Sequence, residues 1–254
     1  MRENVVKKKL RNGEPVFGVI APNADPVVAE VIGHLGFDFY MMDGEHGPIG
    51  PGAAQGIVRA CEATGITPLA RVRSSEPKLL LQFLDAGVMG VMMPGLMDAA
   101  DVRAFVQAVK YPPLGARGLG PIRAADYMIG PTPQAEYVAF SNDQTLVLPQ
   151  FEDIKALEHL GDMVQVEGVD AFMVGPRDLA MSMGFYDGPR HAEVQAVIDQ
   201  VFDIVLDAGL DLGTVAGTGE AAKALVERGA RICLNSVANL IKSSAGPFLE
   251  QARA

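Results

Sequence analysis

Short apolar runs alternate with longer stretches of helical period along the whole chain. The runs VFGVIA (16–21), FDFYMM (37–42), PLARV (68–72), GVMMP (90–94), TLVLPQF (145–151), DAFMV (170–174), LDLGTV (210–215) and RICL (231–234) predict eight strands. Several of the helices between them announce their starts. Asp25 followed by Pro26 reads as a cap with proline at the first helical position. Ser75-Glu76-Pro77 opens another helix that stops at Gly87, and a further one runs from about Asp98 to Lys110. The segment YPPLGARGLGPIRAADYMIGPTP (111–133) has no sustained period and predicts loop or short helical turns. Eight βα units in 254 residues match the size of a (β/α)8 TIM barrel, here one domain over residues 1–254. An open doubly wound sheet would favour a GxGxxG turn after the first strand, and GVIAPNAD contains none.

Composition narrows the choice of partner. With 49% hydrophobic and 20% charged residues the chain reads as globular, and its net charge of -10 repels nucleic acid and anionic membrane surfaces. Small molecules are the expected ligands. Cys61 and Cys233, the only two cysteines, are too few for a disulfide framework or a Cys-rich zinc cluster, and read as buried small hydrophobes. The basic start MRENVVKKKLRNGEP has no following apolar segment with a cleavage site, and VMGVMMPGLM is too short to span a bilayer. The expectation is a soluble, cytoplasmic protein.

In a barrel of this kind chemistry gathers where the strands end. The second strand runs into Asp43, Glu45 and His46, the third into Arg71, the fifth into Gln150 and Glu152, the sixth into Gly175-Pro176-Arg177-Asp178, and the seventh carries Thr214. Carboxylates with one histidine and one arginine suit a hard, oxygen-coordinated cation such as Mg²⁺ or Mn²⁺. Each residue also has a plainer reading. Asp178 suits a helix cap, Glu152 a first-turn helix acid, His46 a hydrogen-bonded loop residue and Arg71 a neutraliser of nearby carboxylates. Asp85 lies in the last turn of its helix, where a negative charge opposes the dipole, yet the same LDAG string recurs at 206–209 without an evident role.

Taken together, DGEHGP (43–48), the strand ending in Arg71, LDAG (84–87), YPPLGARG (111–118), QFE (150–152) and GPRDL (175–179) resemble the HpcH/HpaI aldolase/citrate lyase family. Within it they resemble the class II, metal-dependent pyruvate aldolases of the 4-hydroxy-2-oxoheptanedioate and 2-dehydro-3-deoxyglucarate type. The resemblance implies one divalent cation per subunit (Mg²⁺, Mn²⁺ or Co²⁺) on Glu152 and Asp178, with no organic cofactor. It implies pyruvate and an aldehyde as substrates, with Gln150, Gly175, Pro176, Arg177 and Thr214 around the pyruvate. Backbone N–H groups near Gly175 and Arg177 would hold its carboxylate. Arg71 would meet the keto oxygen, and His46, paired with Asp85 and supported by Asp43, would govern proton transfer. It further implies a homohexamer that exchanges a C-terminal helix, about 236–252.

Arg177 and Phe151 depart from the pattern, leaving acceptor choice less constrained than enolate chemistry. A long cation at Arg177 suits an anionic acceptor or a solvent-facing side chain. An acyl-CoA lyase of the citrate lyase β type, oxaloacetate decarboxylation as the main activity, a phosphate-binding barrel using AGTGEAA (216–222), and a barrel kept for assembly are the competing readings. A Schiff-base aldolase requires a lysine at a strand end. The eight lysines, Lys7, Lys8, Lys9, Lys78, Lys110, Lys155, Lys223 and Lys242, all fall in predicted helices or at their ends.

Overall fold

A computed structural model describes residues 2–254. Eight parallel strands close on themselves in sequence order: β1 (Val16–Ala21), β2 (Phe39–Asp43), β3 (Thr67–Arg71), β4 (Gly90–Met93), β5 (Leu146–Phe151), β6 (Ala171–Val174), β7 (Asp211–Val215) and β8 (Ile232–Ser236). The last strand pairs with the first, Val16 opposite Ile232 and Gly18 opposite Leu234, which makes this the expected (β/α)8 barrel.

Helices α1 (Val5–Arg11), α2 (Pro26–His34), α3 (Pro51–Thr64), α4 (Pro77–Asp85), α5 (Ala99–Val109) and α6 (Gln134–Gln144) come from the first part of the chain. The remainder are α7 (Leu160–Met163), α8 (Pro176–Ser182), α9 (Ala192–Asp207), α10 (Gly219–Glu227) and α11 (Val237–Arg253). The caps read from the sequence form. Asp25 Oδ1 accepts the N–H of Val27 at 2.9 Å, Glu76 accepts from Lys78 and Leu79, and Asp98 accepts from Ala100 and Asp101. The segment 111–133 is irregular apart from a 3₁₀ stretch over Arg123–Met128, as its composition predicts. The sequence reading places Lys7, Lys8 and Lys9 on a helix, which α1 bears out, and did not anticipate α6.

Alternate strand residues fill two cores. Phe39, Met41, Leu69, Met92, Leu148, Met173 and Leu234 pack inside the barrel, while Tyr40, Met42, Ala70, Val91, Phe151 and Phe172 face the helices. Val6 and Leu10 on α1 belong to the inner set, so α1 plugs the base, where the strands begin. Polar groups lock it there. Fully buried Asn4 donates to Met89 O (3.0 Å) and Gln144 O (2.8 Å), Lys7 pairs with Asp170 (2.8 Å) and Lys9 with Asp38 (2.5 Å). Cys61 and Cys233 are free and buried, as expected. No helix among the described residues is long and apolar enough to cross a membrane.

Candidate active site

The opposite end, the mouth, is open, and β2 delivers the first group. Asp43 is the last residue of β2 and faces the barrel axis, in phase with buried Met41 and Phe39. Its Oδ1 accepts the N–H groups of Glu45 and His46, both at 3.2 Å, which folds DGEHG back as an Asx-type turn. A Cβ on Gly47 would lie 2.5 Å from Asp43 O and 2.6 Å from Pro22 O, so the turn closes only with glycine.

Arg71, one strand over, grips Asp43 side-on with two parallel donors on one edge of its guanidinium, Nε to Oδ1 at 3.0 Å and Nη2 to Oδ2 at 2.7 Å. Its Nη1 lies 3.1 Å from Glu45 Oε2, close enough for an ion pair but without hydrogen-bond alignment. Arginine has five N–H groups, so some remain for a ligand. Burial would raise the Asp43 carboxyl, but hydrogen bonds and charge from Arg71, with the two turn amides, outweigh it and hold the group below its ordinary range. Burial would likewise lower Arg71, and Asp43 overrides it, so the guanidinium stays charged.

Across the mouth, Gln150 and Glu152 point inward from the end of β5 while Phe151 between them is fully buried on the helix side. Glu152 Oε1 accepts the Gly95 N–H at 2.9 Å, and Oε2 takes a short hydrogen bond from Gln150 Nε2. Both donors are neutral, and among the described residues Glu152 has no ion-pair partner. Burial and the nearby charges of Glu45 and Asp178 push its carboxyl up to about 7. Glu45 is also raised, chiefly by burial, against the pull of Arg71 and His46. Three carboxylates thus crowd one region, and among the described residues only Glu45 has an ion-pair partner, Arg71, which Asp43 already engages. Gly175 makes room there, since a Cβ on it would lie 2.7 Å from Gln150 Nε2 and 3.1 Å from Glu152 Oε2.

The plainer readings of two acids fail. The 3₁₀ turn after β5 is capped by Asp153, so Glu152 is not a first-turn helix acid. Helix α8 has Gly175 as its cap with no side-chain bond, and Asp178 stands in its first turn without capping it. No group of three or more His, Cys, Asp or Glu among the described residues forms a self-sufficient metal cage. Two carboxylates with open positions fit a hard cation that also takes oxygen from water and ligand.

Three expectations need correction. Asp85 is not beside His46 within the chain: it ends α4 and accepts from Arg117 Nη2 at 2.8 Å. Because α4 starts at the mouth and rises 1.5 Å per residue, its nine residues carry Asp85 about 13 Å toward the base. Gly175 cannot hold a ligand carboxylate with its N–H, which donates to Phe151 O at 2.9 Å, and Pro176 has none, so Arg177 supplies the remaining backbone donor. Thr214 turns its hydroxyl to Val174 O at 3.1 Å and serves the sheet. His46 is exposed at the mouth, its ring without a hydrogen-bond partner among the described residues, and the Arg177 side chain is exposed on α8.

Sequence reasoning missed part of the mouth. A cavity of about 380 Å³ opens between Glu45, Glu152 and the segments after β3 and β4, bringing in Arg73, Ser74, Ser75 and Gly95. A larger one, about 870 Å³, lies toward the base beside α1, α3 and α4, and two of the four arginines that line it are held in ion pairs, Arg117 with Asp85 and Arg123 with Glu62.

The sequence profile of the HpcH/HpaI aldolase/citrate lyase family matches residues 17–239. A 4-hydroxy-2-oxo-heptane-1,7-dioate aldolase of Escherichia coli is 33% identical over 228 residues, 90% of this chain and 86% of that protein. A hydroxypyruvate/pyruvate aldolase of Pseudomonas aeruginosa is 36% identical over 196 residues, 77% of this chain and 72% of that one. Among solved structures, an HpcH/HpaI aldolase from Desulfitobacterium hafniense superposes with a TM-score of 0.91 at 28% identity, covering 97% of this chain and 96% of that one.

Proposed function

The chain belongs to the HpcH/HpaI aldolase/citrate lyase family, and from that premise we propose that it is a divalent-metal-dependent pyruvate aldolase. It enolises pyruvate and adds it to an aldehyde, or releases both from a 4-hydroxy-2-oxo acid. The observation that carries this reading is Glu152, half-buried near the charges of Glu45 and Asp178 and bonded only by neutral donors. Glu152 and Asp178 would hold one Mg²⁺, Mn²⁺ or Co²⁺ per subunit, which supplies positive charge to the enolate oxygen.

The chain's own residues perform the rest. Gln150 and the Arg177 backbone N–H orient pyruvate, with Gly175 keeping the space beside Glu152 clear. Arg71, fixed by Asp43, directs its remaining N–H groups at the keto oxygen and stabilises the negative charge that grows there. His46 takes the methyl proton, directly or through water. The C3 carbon then attacks the aldehyde carbon, and a proton returned to the new oxygen completes the 4-hydroxy-2-oxo acid. A mouth cavity of about 380 Å³ favours a small acceptor over an acyl-CoA. The phosphate-barrel reading is disfavoured by α10, whose first turn carries its own cap, Thr218, and an acid, Glu220.

The proposal extends to the assembly: the whole chain acts as one barrel domain in a homohexamer with α11 exchanged between subunits. None of the residues of α11 is buried, Ile241 (61% exposed) and Phe248 (69%) lie open on it, and α2 presents Val27, Val31 and Leu35. A pairing of Asp85 with His46 then requires a second subunit. Mass measurement in solution tests the assembly. Exchange of pyruvate methyl hydrogens in D2O tests the chemistry: chelator should abolish it and Mn²⁺, Mg²⁺ or Co²⁺ restore it, whereas metal-independent exchange refutes the proposal.

A further inference from the structure

The residues proposed to hold pyruvate lie on the β5 and β6 side of Glu152. The cavity of about 380 Å³ opens on its other side, under the segments that follow β3 and β4. Whatever meets the C3 carbon of the enolate from that direction enters this cavity, so its lining bears on the second substrate.

Most charges that line it are already engaged. Glu45 sits against Arg71, Glu152 takes hydrogen bonds from Gly95 and Gln150, and Asp101 Oδ2 accepts the Met97 N–H at 2.9 Å. Arg73 differs. It follows Arg71 by two residues, with Val72 fully buried between them, so it continues the mouth-facing phase of β3. It lines the cavity and has no hydrogen-bond or ion-pair partner among the described residues, in a chain with 31 acidic and 21 basic side chains. Two hydroxyls accompany it. Ser74 Oγ accepts the Glu76 N–H at 3.1 Å and keeps its own hydrogen to donate, and Ser75 also lines the wall. The nearby helix ends offer no rival, because Glu76 caps α4 and Asp98 caps α5.

We infer that Arg73, with Ser74 and Ser75, selects the acceptor, taking an aldehyde that carries a carboxylate at its far end. The inference rests on the aldolase reading and moves anion selection from Arg177 to Arg73: both side chains are exposed, but only Arg73 lines this cavity. A guanidinium with flanking hydroxyls matches a carboxylate, and a neutral aldehyde leaves it unpaired.

The test is the ratio of kcat/KM for 4-oxobutanoate to that for butanal in pyruvate addition, compared among wild type, Arg73→Gln and Arg177→Gln. Wild type should favour 4-oxobutanoate, and Arg73→Gln should cut the ratio by about ten- to a hundredfold. A wild type without preference, an unchanged ratio in Arg73→Gln, or a fall confined to Arg177→Gln would each overturn the assignment. Wild type lacking metal-dependent pyruvate exchange refutes the aldolase reading and this inference with it. Normal exchange with an unchanged ratio removes the acceptor assignment alone.

Discussion

Both ends of the barrel hold charged side chains and treat them in opposite ways. At the base each buried charge meets a partner. Lys7 pairs with Asp170, and Lys110, 3% exposed, donates to Asn142 O (2.8 Å) and Thr145 O (2.6 Å) with Asp170 nearby. Burial lowers Lys110 to about 8, a value that alone would suggest a reactive amine, yet its position beneath β5 keeps it from the mouth. At the mouth Asp43 is neutralised by Arg71, while Glu152 is left with neutral donors and a carboxyl near 7. Perturbed titration marks both ends. What separates structure from chemistry is whether the perturbed group has its counter-charge within the fold.

The sharpest way to break this comparison is Glu152→Gln. It should slow metal-dependent pyruvate exchange by about ten-thousandfold or more, read by proton NMR in D2O. His46→Ala should slow the same exchange by about a hundredfold to ten-thousandfold, the range for a lost general base, and wild-type rates would make His46 structural. Asp170→Asn attacks the base instead. It should cost about 3 kcal/mol in urea unfolding by leaving buried lysines unpaired, with exchange per folded molecule unchanged.

The smallest effect is in pH. Glu152 has a folded pKa of about 7 against an ordinary 4.5, so the metal-free fold keeps a proton that the unfolded chain releases. Stability of the metal-free protein should therefore fall as pH rises from about 4.5 to 7 and level off above, by about 2 kcal/mol after solvent screening. Glu152→Gln should flatten that slope, and an unchanged slope would assign it elsewhere.

Much of this was legible in the sequence because strand phase and helix caps are local. The QFE string put Gln150 and Glu152 on one face and Phe151 on the other, and the DGEHG turn follows from Asp43 accepting two amides. Long-range placement was not. Within the basic start of the chain Lys7 is 8% exposed and finds Asp170 across the barrel base, a contact that no local pattern encodes. Asp85 was assigned by motif to His46, although the direction and length of α4 carry it away. Arg73 escaped notice because its meaning comes from a cavity formed by two separate loops.

Equilibrium titration with Mn²⁺, followed by electron paramagnetic resonance, tests the central claim that the unmatched carboxylates of the mouth form the cation site. Wild type should bind one ion per chain and Glu152→Gln should lose that binding. Undiminished binding in Glu152→Gln would contradict the account.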